Sequence, residues 1–169
     1  MDTQSRMHEM ILSCYVRCQE ILVKCGFHEM VAVVLMPEGE VCPVPMTPML
    51  KIAEKAWADG DKDSYHHLKR RMWNSLRDGL KMFHAEGVII VSEVWVGKGT
   101  ASKKEIKAAR ECEDRREAII VRWEYKIPGG TASGSRLRYF RRENGKPVLE
   151  EELADAEEML GESLNLLPE

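Results

Sequence analysis

The chain has 169 residues, of which 44% are hydrophobic and 31% are charged, and its formal net charge is −3. That balance is typical of a single soluble globular domain that buries its core without help from metals or disulfides. Because no apolar run is long enough for a membrane span and the first ten residues are polar, we expect no membrane span, no secretory signal and a cytoplasmic protein.

The first predicted element is an amphipathic helix that ends at Gly26, a residue that favours the left-handed conformation of a helix C-terminus. Its apolar seam recurs at steps of three and four residues and consists of Met7, Ile11, Cys14, Cys18, Ile21 and Cys25. The chain has five cysteines and no CxxC pair, so we expect reduced thiols that pack as small hydrophobes. The seam therefore predicts a helix that faces the core or a second copy, and no metal site.

A hairpin and two more helices follow. Two β-prone runs flank the turn at residues 37–39, and Pro43 and Pro45 make the second run an edge strand. Thr47-Pro48 then begins a short helix that reaches Trp57. The next helix is long and amphipathic, and its apolar residues are Tyr65, Leu68, Met72, Leu76, Leu80 and Phe83.

Three further strands are predicted at Val88–Val96, Ala118–Ile127 and Arg136–Arg142. Residues 128–135 read as a flexible connection, and Asn144-Gly145 is a tight-turn signal before a last helix that starts at Leu149. Adjacent strands with short links predict a single α+β domain over residues 1–169. Its antiparallel sheet has about five strands, with helices packed on one face.

Charge is distributed unevenly along this predicted domain. Residues 150–169, the acidic helix and tail, hold eight acidic and no basic side chains, and the other 149 residues hold 20 acidic and 25 basic ones. The acidic end therefore folds back on a basic surface of the same chain, or that surface serves an anionic partner.

Two glutamates are the candidate catalytic residues, because each lies in a predicted apolar strand. If the long loop joins the strands as a wide hairpin, Glu93 lies opposite Ile119 and diagonal to Glu117, and all three share the apolar side. Two adjacent carboxylates could divide acid and base roles or bind a divalent cation. The favoured interpretation is structural: Glu117 pairs with Arg115 or Arg116, and Glu93 pairs with an arginine of the neighbouring strand such as Arg138.

The same region carries a short resemblance. The stretches VSEVW, at residues 91–95, and DRREAIIV, at residues 114–121, resemble small bacterial proteins of unassigned function. Those proteins have a V-S-E-x-W strand, a variable loop and a D-x-R-E opening to the next strand. The resemblance covers about fifteen residues, implies similar strands, and implies no activity.

The last predicted strand is basic and aromatic, which suits single-stranded nucleic acid or another anion. Its candidate anion-binding residues are Arg136, Arg138, Arg141, Arg142 and Tyr139. Pairing with the nearby acids Glu150, Glu151, Glu152 and Asp155 is the stronger competitor, so nucleic acid is not favoured.

Three functional hypotheses follow. The first is a non-enzymatic protein-association domain, expected to be a homodimer and to need no cofactor. The second is an anion or single-stranded nucleic-acid binder that uses residues 136–142. The third is a carboxylate- or metal-dependent hydrolase built on Glu93 and Glu117.

Overall fold

The computed structural model describes residues 2–96, 116–150 and 166–167. Its helices are α1 (Thr3–Cys25), α2 (Thr47–Ala58) and α3 (Lys62–Met82). Its strands are β1 (Val31–Leu35), β2 (Val41–Pro45), β3 (Gly87–Val96), β4 (Arg116–Ile127), β5 (Gly130–Glu143) and β6 (Lys146–Leu149). The strands form one antiparallel sheet in the order β2-β1-β3-β4-β5-β6. The predicted α+β class is therefore confirmed.

Local chemistry explains where several elements end. Gly26 follows α1 with φ 84° and donates its N–H to the Leu22 carbonyl, 2.8 Å away, as a left-handed helix terminus requires. Gly39 takes φ 80° in the β1–β2 turn. Asn144 and Gly145 take φ 51° and 78°, which is the backbone of the two-residue turns that favour a right-twisted hairpin.

The sheet is buried on both faces, because alternate residues of its central strands enter two different cores. On one face α1 covers a cluster that includes Ile89, Ile119 and Phe140. On the other face α3 contributes to a cluster that includes Val88 and Ile90. The prediction of helices on one face is wrong, because the near-continuous apolar run of β3 buries both sets of its side chains.

Within the described residues the sheet has six strands, one more than predicted. The additional strand is β6, which pairs Leu149 with Phe140 where the sequence pattern predicted the start of a helix. The predicted flexible connection at residues 128–135 is also wrong. A turn at residues 128–129 passes directly into β5, where Gly134 lies opposite Trp123 and a Cβ atom would come within 2.5 Å of the indole. The absence of a side chain at Gly134 provides room for that ring.

The register between β3 and β4 agrees with the sequence prediction. Glu93 lies opposite Ile119, and Glu117 lies opposite Trp95 two pairs further along, so the two glutamates share a face. The predicted acidic helix and tail fall mostly on residues 151–165 and 168–169, which lie outside the described residues. Within the described ranges, no helix is both long and apolar enough to cross a membrane.

Proline occupies both edges of the sheet. The Met36 N–H donates to the Glu40 carbonyl, and the Met46 N–H donates to the Met30 carbonyl. By alternation, the backbone N–H and C=O groups of even-numbered β2 residues therefore point toward β1. Odd-numbered β2 residues therefore point their backbone groups outward, and two of the three outward positions are Pro43 and Pro45. By the same alternation, Pro147 holds an outward position of β6. Because proline has no N–H, both edges resist pairing with another strand.

Candidate functional site

The two candidate glutamates meet at one guanidinium group. Arg142 of β5 donates from Nε to Glu117 Oε1 at 3.0 Å and from Nη2 to Glu93 Oε2 at 3.3 Å. Its Nη1 donates to the carbonyl oxygen of Gly26 at 2.7 Å, at the C-terminus of α1. The His28 N–H donates to the other oxygen of Glu93. This glutamate–arginine cluster therefore joins the end of α1 to three strands.

The partner of the glutamates differs from the arginines that sequence reasoning named. Arg116 is engaged elsewhere, because it forms an ion pair with Glu150 and lies with its guanidinium carbon 3.8 Å from the centre of the Tyr139 ring. Arg138 lies opposite Ile119 in the register, and Arg115 lies outside the described residues. The interpretation of the two glutamates as partners in a structural ion pair still holds, but the arginine that pairs with them is Arg142. Sequence alone could not select it, because the register of β5 was not predicted.

The glutamates line a small cavity of about 60 Å³ together with Val94, Trp95 and Phe140. Burial raises the pKa of the Glu93 carboxyl above its ordinary value of 4.5, the His28 N–H and Arg142 oppose the rise, and Glu117 adds to it. A raised pKa is compatible with acid catalysis. The cavity has room for only a few water molecules, however, whereas sites for small-molecule ligands typically measure about 300–1,000 Å³. The arrangement therefore suits a structural ion-pair cluster better than a substrate site.

The predicted basic strand does not present one surface. In β5, Arg136, Arg138 and Arg142 lie on the face that α1 covers, whereas Tyr139 and Arg141 lie on the opposite face. The side chains also have partners within the chain: Arg136 lies 5.3 Å from the ring centre of Tyr15, and Arg141 pairs with Glu143 at 2.7 Å. The five candidate anion-binding residues are thus divided between two faces.

The outer side of α1 carries an apolar stripe that sequence reasoning missed. Met7, Ile11 and Cys18 of the predicted seam are buried against the sheet, whereas Cys25 is exposed. The exposed stripe lies on a different side of the helix, and its members are Leu12, Val16, Val23 and, just past the helix end, Phe27, with exposed fractions of 40%, 56%, 53% and 55%. The signal was present in the sequence, as a second set of apolar residues with helical spacing beside the first.

Glu124 is the second residue that the sequence did not single out, and it lies on the face of β4 opposite to that of Ile119. It is 6% exposed and accepts two backbone hydrogen bonds of 2.9 Å, from the N–H groups of Leu166 and Leu167. Both leucines are buried in the core on the α3 side of the sheet. No sequence signal identified this contact, because it depends on the distant segment that covers the second face.

Among the described residues, no group of three or more His, Cys, Asp or Glu side chains could hold a metal ion. No protein-family model, curated protein or solved structure matches the chain.

Proposed function

We propose that the protein is a non-enzymatic association domain, located in the cytoplasm, that forms a homodimer through the outer stripe of α1. The observation that carries this proposal is the exposed row of Leu12, Val16, Val23 and Phe27 on a helix whose opposite side is already buried. A group of exposed apolar side chains on one side of a folded domain supports a protein-binding surface there. The cytoplasmic location is supported by the free thiols of Cys14, Cys18, Cys25 and Cys42, because disulfides form in oxidising compartments.

Charge supports a particular arrangement of the two helices. Glu9 and Lys24 are exposed and lie toward opposite ends of the stripe. When two copies of α1 pack antiparallel, with the two-fold axis close to Val16, each Glu9 approaches Lys24 of the other copy. Parallel packing would instead bring identical charges together. Complementary charges at the rim set orientation more than affinity.

The edges of the sheet favour association through helices. Pairing between edge strands needs outward backbone N–H groups, and the prolines of β2 and β6 remove several of them. An isologous helix pair needs no strand edge and closes with two copies, so it does not extend into a fibre.

Sedimentation velocity at micromolar concentration tests the proposal. We expect a species of about twice the 19.4 kDa chain mass for the wild-type protein. Val16→Glu should weaken the dimer at least about tenfold, because it places a charge at the centre of the apolar contact. Ser75→Glu, which adds the same charge to an exposed position of α3 away from the stripe, is the matched control and should leave the dimer intact.

A charge exchange tests the orientation. Glu9→Lys and Lys24→Glu should each weaken the dimer, and the double variant should restore it, because both cross-pairs regain opposite charges. A wild-type chain that sediments only as a monomer at these concentrations would contradict the proposal.

A further inference from the structure

The Leu166–Leu167 segment lies in a groove between α3 and the sheet. We call this the leucine groove: both leucines belong to one buried cluster with Met30, Met46, Met72, Leu76 and Leu80, and Glu124 accepts hydrogen bonds from their N–H groups. Leu166 is 1% exposed and Leu167 is 6% exposed, so both side chains are inserted fully. Residues 150–165 separate the segment from β6 in the sequence.

Glu124 recognises the backbone of this segment. Its carboxylate accepts hydrogen bonds from the N–H groups of two consecutive residues. Each N–H donates to a different oxygen, with a nitrogen–oxygen distance of 2.9 Å. Such bonds to a charged acceptor are stronger than neutral ones, and they matter more in a buried position, where water cannot replace the donors. This contact selects two adjacent N–H groups, which excludes proline at either position. The leucine specificity comes from the surrounding apolar side chains.

The lining of the groove suits an exchangeable occupant. Met30, Met46 and Met72 are buried in it, and Met36 packs at its margin. Methionine is unbranched and polarisable, so surfaces rich in it adapt to different apolar side chains and recur in proteins that bind several peptides.

We propose that the leucine groove is a peptide-docking site, which takes a segment of a partner protein with two adjacent leucines and two free backbone N–H groups. The chain's own Leu166–Leu167 segment occupies the groove in cis and competes with that partner. A tethered occupant acts at an effective concentration of about millimolar, so the partner binds measurably only when its affinity exceeds this competition or when the cis segment is displaced.

Fluorescence anisotropy with a labelled peptide of residues 161–169, GESLNLLPE, tests the proposal on the full-length chain. The Leu166→Asp/Leu167→Asp variant vacates the groove, because the new carboxylates are repelled by Glu124 and by the apolar lining. We expect this variant to bind the peptide saturably, and the wild-type chain to bind at least about tenfold more weakly. A peptide with N-methyl groups on both leucine amides keeps the leucines but loses the donors, so its binding should fall at least about tenfold.

Other results would overturn the proposal. If the aspartate variant does not fold, Leu166→Ala/Leu167→Ala replaces it, because this change keeps both N–H groups and loosens only the side-chain contacts. Absence of peptide binding to a folded variant, or equal binding of the N-methylated peptide, refutes the docking site. If both variants unfold and added peptide does not restore their folded structure, the segment is a fixed part of the core and the docking site is refuted. If the wild-type chain and the variant bind the labelled peptide with equal affinity, the chain's own segment does not compete for the groove.

Discussion

Replacing Arg142 with methionine removes a guanidinium that neutralises two partly buried carboxylates. Methionine keeps an unbranched apolar side chain over Phe140, so the change removes the charge and the hydrogen bonds more than the packing. The variant leaves Glu93 and Glu117 close together without the Arg142 contacts. We therefore expect lower stability, with a dependence on pH that packing alone would not produce.

The size of the effect follows from the contacts and their exposure. Breaking one partner of a fully buried ion pair costs about 3–5 kcal/mol, and an exposed pair contributes up to about 1 kcal/mol. The Arg142 side chain is 32% exposed, and those of Glu93 and Glu117 are 25% and 20% exposed. Solvent partly screens a cluster of this kind. We therefore expect the free energy of unfolding to fall by about 2 kcal/mol at neutral pH, which lowers Tm by roughly 4–8 °C for a chain of this size.

The loss should grow with pH. The folded-state pKa of Glu93 is raised above 4.5, so the folded chain binds more protons than the unfolded chain just above that pH, and stability falls as the carboxyl ionises. Removing Arg142 deletes an interaction that lowers this pKa, so the folded-state value rises further. The difference in the free energy of unfolding between wild type and variant should therefore be small near pH 4, and it should reach its full size only above the folded-state pKa of Glu93.

Urea unfolding at about pH 4 and about pH 7.5 measures this difference. Arg141→Met is the matched control, because Arg141 lies on the opposite face and pairs with Glu143 at an exposed position. It should change stability by less than about 0.5 kcal/mol. Adding Glu93→Gln to the Arg142 variant should recover part of the loss at the higher pH. Equal losses in the two arginine variants, or a loss that does not change with pH, would refute the reasoning.

Three further outcomes are expected. Changing both β2 prolines to valine should restore outward N–H groups and increase light scattering at high concentration; unchanged scattering would show that the prolines do not protect the edge. Gly134→Ala should cost about 2 kcal/mol because its Cβ would meet the Trp123 indole, whereas Gly130→Ala, with open space around it, should be nearly neutral by thermal unfolding. Cys18, with a pKa of about 12, should resist thiol reagents while the exposed Cys25 reacts, and equal labelling rates would contradict this.

The sequence by itself determined the local features of the fold. The β3–β4 register followed from alternation and the centring of the long loop, and the structure pairs Glu93 with Ile119 as expected. The tight turn at Asn144-Gly145 and the end of α1 at Gly26 were also predictable, because left-handed backbone conformations favour these residues. Such signals act within a few residues, so they can be read without knowledge of the rest of the chain.

Tertiary structure alone decided which distant groups meet. It buried both faces of the sheet, brought Arg142 to Glu93, and placed Glu124 under the Leu166–Leu167 segment. The Arg142–Glu93 contact and the two contacts of Glu124 each join residues at least 42 positions apart in the chain. The physical reason is that alternation in a strand assigns a side chain to one of two faces, whereas the element that covers that face, and so the environment of a charge, depends on packing across the whole sheet.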